Sequence, residues 1–206
     1  AGNFTSPNDI AGSILSLLKH DIIIEDLLLK KKSEVSFSET TAIIGSLNKL
    51  PLLHHLMRVS PLPDLQFEKL FAAMRSLLLK NLDKIDVSPE LIYFLSTLSL
   101  HCFVNEYIYL ESDEETRLIE DLQAKVAQTL ALSKQPEAIK ILCLASYRPL
   151  HEYDWCQKLV ALDNLEEVKK RLIEEPLLEK MITKDIPVLQ EISDEVSLKV
   201  REQYEE

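Results

Sequence analysis

The stretch LIYFLSTLSLHCFVNEYIYL, Leu91 to Leu110, is an apolar run of 20 residues in an otherwise charged chain. Its length would span a bilayer. Yet it carries His101, Asn105 and Glu106 near one end, it is flanked by acidic segments, and it has no basic anchors. A glutamate in lipid costs several kcal/mol, so a membrane span is the poorer reading. The better one is a central core helix, apolar nearly all round because neighbouring helices wrap it. Ser88 supplies the N-cap and Pro89 the first helical position.

Read as one helix, the run places Leu91, Leu95, Leu98, Cys102, Asn105 and Tyr109 on one stripe. Glu106 falls about 100° away, in line with Ser96, Ser99 and Phe103. An unpaired buried carboxylate is costly, so Glu106 is expected to meet a donor or water. Arg75, Arg117 and Arg148 are the candidate donors. Such a seam either locks the helix in register or faces another domain or a ligand.

Helical signals extend to both sides. Ser6-Pro7 opens a helix with Ile10, Ile14, Leu15, Leu17 and Leu18 as its apolar face. A short helix over 21–31 follows, ending in Lys30-Lys31-Lys32, where cations suit the helix dipole. Ser38 begins the next, and Pro51 starts or kinks PLLHHLMRV. Asp64 starts a helix with Leu65, Phe67, Leu70, Phe71, Met74, Leu77 and Leu78 at helical spacing. Ser112 and Glu115 form a capping box for the segment after the apolar run. Further helices are expected over 136–146, 164–173, 177–183 and from Ser193 onward. No sustained period-2 alternation and no Asn-Gly or Asp-Gly hairpin signal occurs. The candidate units share no constant period or signature. The expectation is an all-α, irregular array or bundle of about nine to eleven helices, with at most weak solenoid character.

Composition narrows the function classes. The net charge is −11, and residues 1–60 balance six acids against six bases, so the whole excess lies beyond residue 60. Such a surface repels phosphate backbones and anionic lipid, and neither nucleic acid nor a membrane is expected as partner. Cys102, Cys143 and Cys156 are odd in number and widely spaced, which suits reduced, mostly buried thiols and a cytoplasmic location. The polar start AGNFTSPND has no basic-then-apolar signal region. Only 3 glycines occur, against about 14 expected from average usage.

Chemistry-bearing motifs are missing. Gly2, Gly12 and Gly45 lie too far apart for either usual phosphate-binding glycine loop, and there is no G-x-S-x-G elbow. Adjacent His54 and His55 point about 100° apart on a helix, so they do not share a metal. HEYDW starts like a helical zinc motif, but Trp155 stands where the second histidine is required. No metal is expected. His151 and Cys156 are close enough in sequence to consider a thiol–imidazole pair, but nothing else marks a nucleophile site.

In the tail SDEVSLKVREQYEE, Ser193 is a cap and Val196, Val200 and Tyr204 line one narrow face. The pattern runs to Glu206 with no capping glycine or proline, which reads as the start of a longer helix. The expected organisation is a helical accessory domain over 1–190 and a connecting helix from 191.

The stretch ISDEVSLKVREQYEE resembles the segment leading into the S-adenosylmethionine-binding domain of a group of bacterial class I methyltransferases, many with tetratricopeptide repeats upstream. LSLHCFVNEYIY with the following acidic residues, YRPL at 147–150, and IPVLQEISDEVS at 186–197 look similar to stretches of the preceding helical block in that group. The resemblance covers about residues 64–206. It implies a non-catalytic N-terminal module for substrate recognition or protein interaction, with S-adenosylmethionine as cofactor of a downstream catalytic domain. That domain would be the module's first partner, with other proteins as possible partners. No cofactor-binding or catalytic position of the family occurs in these 206 residues, so none is carried over. The interface candidates are Asn105, Glu106, Tyr109, Val200, Arg201 and Tyr204. The rival readings are a stand-alone helical scaffold and, further off, a small-molecule enzyme around His151 and Cys156.

Overall fold

The computed structural model describes residues 6–29, 37–162 and 165–184. Among them the chain is all-α, with no strand. In chain order the helices are α1 (Pro7–Lys19), α2 (Ile22–Leu29), α3 (Phe37–Leu47), α4 (Pro51–Val59), α5 (Leu65–Lys80), α6 (Pro89–Val104), α7 (Asp113–Ala131), α8 (Ala138–Ala145), α9 (Glu166–Lys169) and α10 (Glu175–Lys184). Short 3₁₀ turns at Leu150–Glu152, Cys156–Lys158 and Val160–Leu162 carry the chain from α8 toward α9. Residues 30–36, with the lysine run, and residues 185–206, with Val200, Arg201 and Tyr204, lie outside the described residues.

α6 is the axis. It packs between α4 and α8 and also meets α3 and α9. Ten of its side chains are buried, including Phe94, Leu95, Leu98 and Cys102 together with Thr97, Ser99 and His101. Contact with four helices explains most of the apolar run, although Tyr93 on the remaining stripe stays 40% exposed. No helix among the described residues is long and apolar enough to cross a membrane. The start of α6 follows local rules: the Ser88 hydroxyl accepts from Leu91 N–H, and Pro89 occupies the first turn.

α5 shows the expected N-cap, with the Asp64 carboxylate accepting from Gln66 and Phe67 N–H at 3.0 and 3.3 Å. Its buried face is Phe67, Phe71, Met74, Arg75 and Leu78, whereas Leu65 is 62% exposed. On α1, Leu15 and Leu18 are buried while Ile10 and Leu17 face solvent, so the core-facing stripe is narrower than the apolar pattern suggests.

Two expectations are corrected. First, the helix of the apolar run does not reach Tyr109; it ends at Val104. Second, the break expected between residues 173 and 177 is not a break. A single π-helical turn, Lys170–Glu174, joins α9 to α10, and Pro176 sits buried in the first turn of α10. Proline lacks an N–H and its ring crowds the carbonyl four residues back. A π-turn displaces that carbonyl, so the helix absorbs the proline instead of stopping at it.

Candidate functional site

The segment after α6 is where the sequence pattern and the geometry differ most. Asn105 is the C-cap of α6. Glu106 N–H donates to Phe103 O at 3.2 Å and Tyr107 N–H to Cys102 O at 2.8 Å. These two bonds make a Schellman motif, which closes a helix by turning one residue left-handed. That residue is usually glycine, but here it is Glu106, with φ 56, and Tyr107 follows at φ 57. Ser133 does the same at the end of α7, with φ 55 and bonds from Ser133 N–H to Leu130 O and Lys134 N–H to Thr129 O. Among the described residues no glycine has positive φ, so this glycine-poor chain forces ordinary residues into the left-handed region.

Asn105, Glu106 and Tyr109 therefore do not form a helical stripe. Asn105 is half-buried, Glu106 is exposed, and Tyr109 is buried at 6% exposure. None of Arg75, Arg117 and Arg148 pairs with Glu106: Arg75 binds carbonyls, Arg148 binds Glu111, and Arg117 is exposed.

What holds the turn is a buried polar chain. The Tyr109 hydroxyl donates to His101 Nε2 at 2.7 Å, and His101 Nδ1–H donates to Met57 O at 3.1 Å. Met57 O is one of the last carbonyls of α4, which have no partner inside their own helix. Burial pulls the His101 imidazole down to about 4, so it stays neutral and can accept from the phenol.

Arg75 is the second anchor. It projects from the apolar face of α5 and is 2% exposed. Its Nη2 donates to Tyr109 O at 3.2 Å and Leu110 O at 3.0 Å, and its Nη1 to Ser146 O at 3.3 Å, the carbonyl of the α8 C-cap. The guanidinium lies 3.9 Å from the Tyr147 ring centre and 5.6 Å from that of Tyr109. No described carboxylate lies within ion-pair distance of it; ring faces, carbonyl dipoles and the negative end of α8 compensate its charge, with Glu111 and Glu115 acting at longer range.

The acids of the neighbourhood serve α7. Glu115 accepts from Ser112 N–H and Oγ–H at 3.0 and 2.9 Å, completing the expected capping box, and from the Tyr147 hydroxyl at 2.7 Å. Burial opposes its ionisation, but these donors prevail and hold it below the usual carboxylate range. Glu111 takes a two-armed bond from Arg148 at 2.8 and 2.6 Å and one from Thr116 at 2.9 Å.

The outcome is a shaped turn whose backbone is fixed from below while two large apolar side chains point outward. Ile108 is 71% exposed and Leu110 is 90% exposed. Arg75 had a legible signal, since an arginine falls within the core stripe of α5. Ile108 and Leu110 had none, because a continuing α6 would have buried them.

The three thiols are held in their protonated form. Burial pushes the Cys102 and Cys143 thiols up to about 12, and it raises Cys156 as well. All three cysteines are free and buried. The His151 ring lies edge-on to Phe103 at 6.3 Å, and its Nδ1 has no hydrogen-bond partner, Cys156 included. Among the described residues no three of His, Cys, Asp and Glu gather in a way that would hold a metal ion. Compared with family models, curated proteins and solved structures, the chain finds no match in any of the three.

Proposed function

We propose that this chain is a non-catalytic helical module that recognises a protein surface through the turn at residues 105–112. In this reading it precedes the catalytic domain of a bacterial, cytoplasmic S-adenosylmethionine-dependent methyltransferase of the tetratricopeptide-containing kind, and that domain is its first partner. The observation that carries the interaction role is the exposure of Ile108 and Leu110 on a turn anchored by a buried arginine. Exposed apolar side chains on loose loops are common, but a backbone built around a desolvated cation and two left-handed non-glycine residues holds them in one geometry. A preformed apolar knob loses little entropy on binding. Support for the methyltransferase context comes from the resemblance of 98–109 and 192–206 to that group.

The test is calorimetric. S-adenosylmethionine is titrated into the 206-residue chain and into a product extended downstream; binding is expected only to the longer one. In the longer product, Ile108→Ser with Leu110→Ser is expected to reduce methyl transfer while the melting temperature of the 206-residue chain moves by less than about 2 °C. Tight cofactor binding by the 206-residue chain, or a double variant with full activity, would refute the reading.

A further inference from the structure

A second feature lies along α6 and does not depend on the methyltransferase reading. Pro89, Ile92, Tyr93, Ser96 and Leu100 fall on one stripe of that helix. This stripe floors a groove of about 360 Å³, with Arg58 of α4 on one wall and Leu165 to Val168 at the start of α9 on the other. Ligand sites of small molecules are of this size and carry mostly apolar walls with a few fixed polar groups.

The fixed polar group is Arg58. Its Nη2 donates to Thr97 Oγ at 3.1 Å, and its guanidinium lies 5.2 Å from the Tyr93 ring centre. Its Nη1 donates to one oxygen of Glu167 at 2.9 Å. Arg171 brings a second guanidinium to the same carboxylate: its Nη1 is 3.7 Å from the other Glu167 oxygen and also donates to Arg58 O at 2.6 Å. Both cations thus keep other anchors if Glu167 leaves. The Glu167 side chain is 47% exposed, so its ion pairs are solvated and little is lost when it swings out. The protein already shows a carboxylate between the two arginines at the mouth of an apolar groove.

We propose that this groove binds a small monocarboxylate with a short apolar tail. Its carboxylate replaces that of Glu167 between Arg58 and Arg171, and its tail lies against Pro89, Ile92 and Leu165. Neighbouring Glu166 and the displaced Glu167 disfavour a second negative charge on the ligand, which sets the class at one carboxylate.

Titration calorimetry with sodium hexanoate and with 1-hexanol tests this. Hexanoate should saturate with a Kd on the order of 1 mM, and hexanol should bind about tenfold more weakly. Glu167→Gln removes the internal competitor and should tighten hexanoate binding about threefold, with an unchanged melting temperature. Arg58→Met should abolish saturation; because that variant also loses the Thr97 contact, Glu167→Gln is the decisive one. Hexanol binding as well as hexanoate, absence of saturation, or a Glu167→Gln variant that binds hexanoate no better would overturn the proposal.

Discussion

Replacing Arg75 by methionine isolates the contribution of the buried anchor. Methionine keeps most of the aliphatic volume on the core face of α5 but leaves three carbonyls without a donor. Leu110 O is only partly buried and can recruit water. Tyr109 O and Ser146 O are donated to within the buried interior. Each buried carbonyl left unpaired costs roughly 1–3 kcal/mol. Against this stands the relief of desolvating a guanidinium, which can be comparable in size. Loss of the contacts should prevail, since Ser146 O is fixed by the end of α8 and Tyr109 O by the turn that its own hydroxyl anchors to His101, and the net destabilisation is about 3 kcal/mol. For a chain of this size that lowers the melting temperature by about 6–12 °C. Urea denaturation monitored by circular dichroism measures it, and amide exchange localises it: Glu106 and Tyr107 N–H should lose protection more than the core of α6. Arg75→Lys, which keeps the charge but not the fork, should fall between the two. A loss under about 1 kcal/mol for Arg75→Met, or a lysine variant as stable as the parent, would refute the view that carbonyl pairing, and not charge, is what Arg75 supplies.

Two further outcomes follow from the same geometry. Glu106→Gly should stabilise the chain by about 0.5–1 kcal/mol in urea titration, because glycine takes the left-handed conformation without the Cβ clash; Glu106→Val should destabilise it. Acid should weaken the fold through His54 and His101, both held by burial at about 4 in the folded chain, below the ordinary 6.5. The unfolded chain then binds more protons, so stability is full above pH 6.5 and is lost as the pH falls toward 4, by up to about 1.4 kcal/mol per pH unit for each histidine. His101→Gln should flatten that slope in pH-dependent urea titrations, and an unchanged slope would contradict the assignment.

Much of the helical order was legible in the residues. Asp64, Ser88 and Ser112 with Glu115 act as caps where short oxygen-bearing side chains precede apolar periodicity, and capping depends only on the next three residues. The apolar run from Leu91 marked a core helix, and ten side chains of α6 are buried as that reading expects. The candidate site was less legible. Glu106 reads as helical by pattern, since apolar spacing continues on both sides of it, and nothing local forbids another turn. Pro176 reads as a stop, yet a π-turn carries the helix through it.

Sequence alone therefore determined the helical class, the starts of the long helices and the apolar character of α6, because each depends on neighbours within a few positions. Only the tertiary structure decided where α6 ends. Arg75 and His101 reach Tyr109 from 34 and 8 residues earlier in the chain, and their bonds outweigh the strain of two left-handed residues.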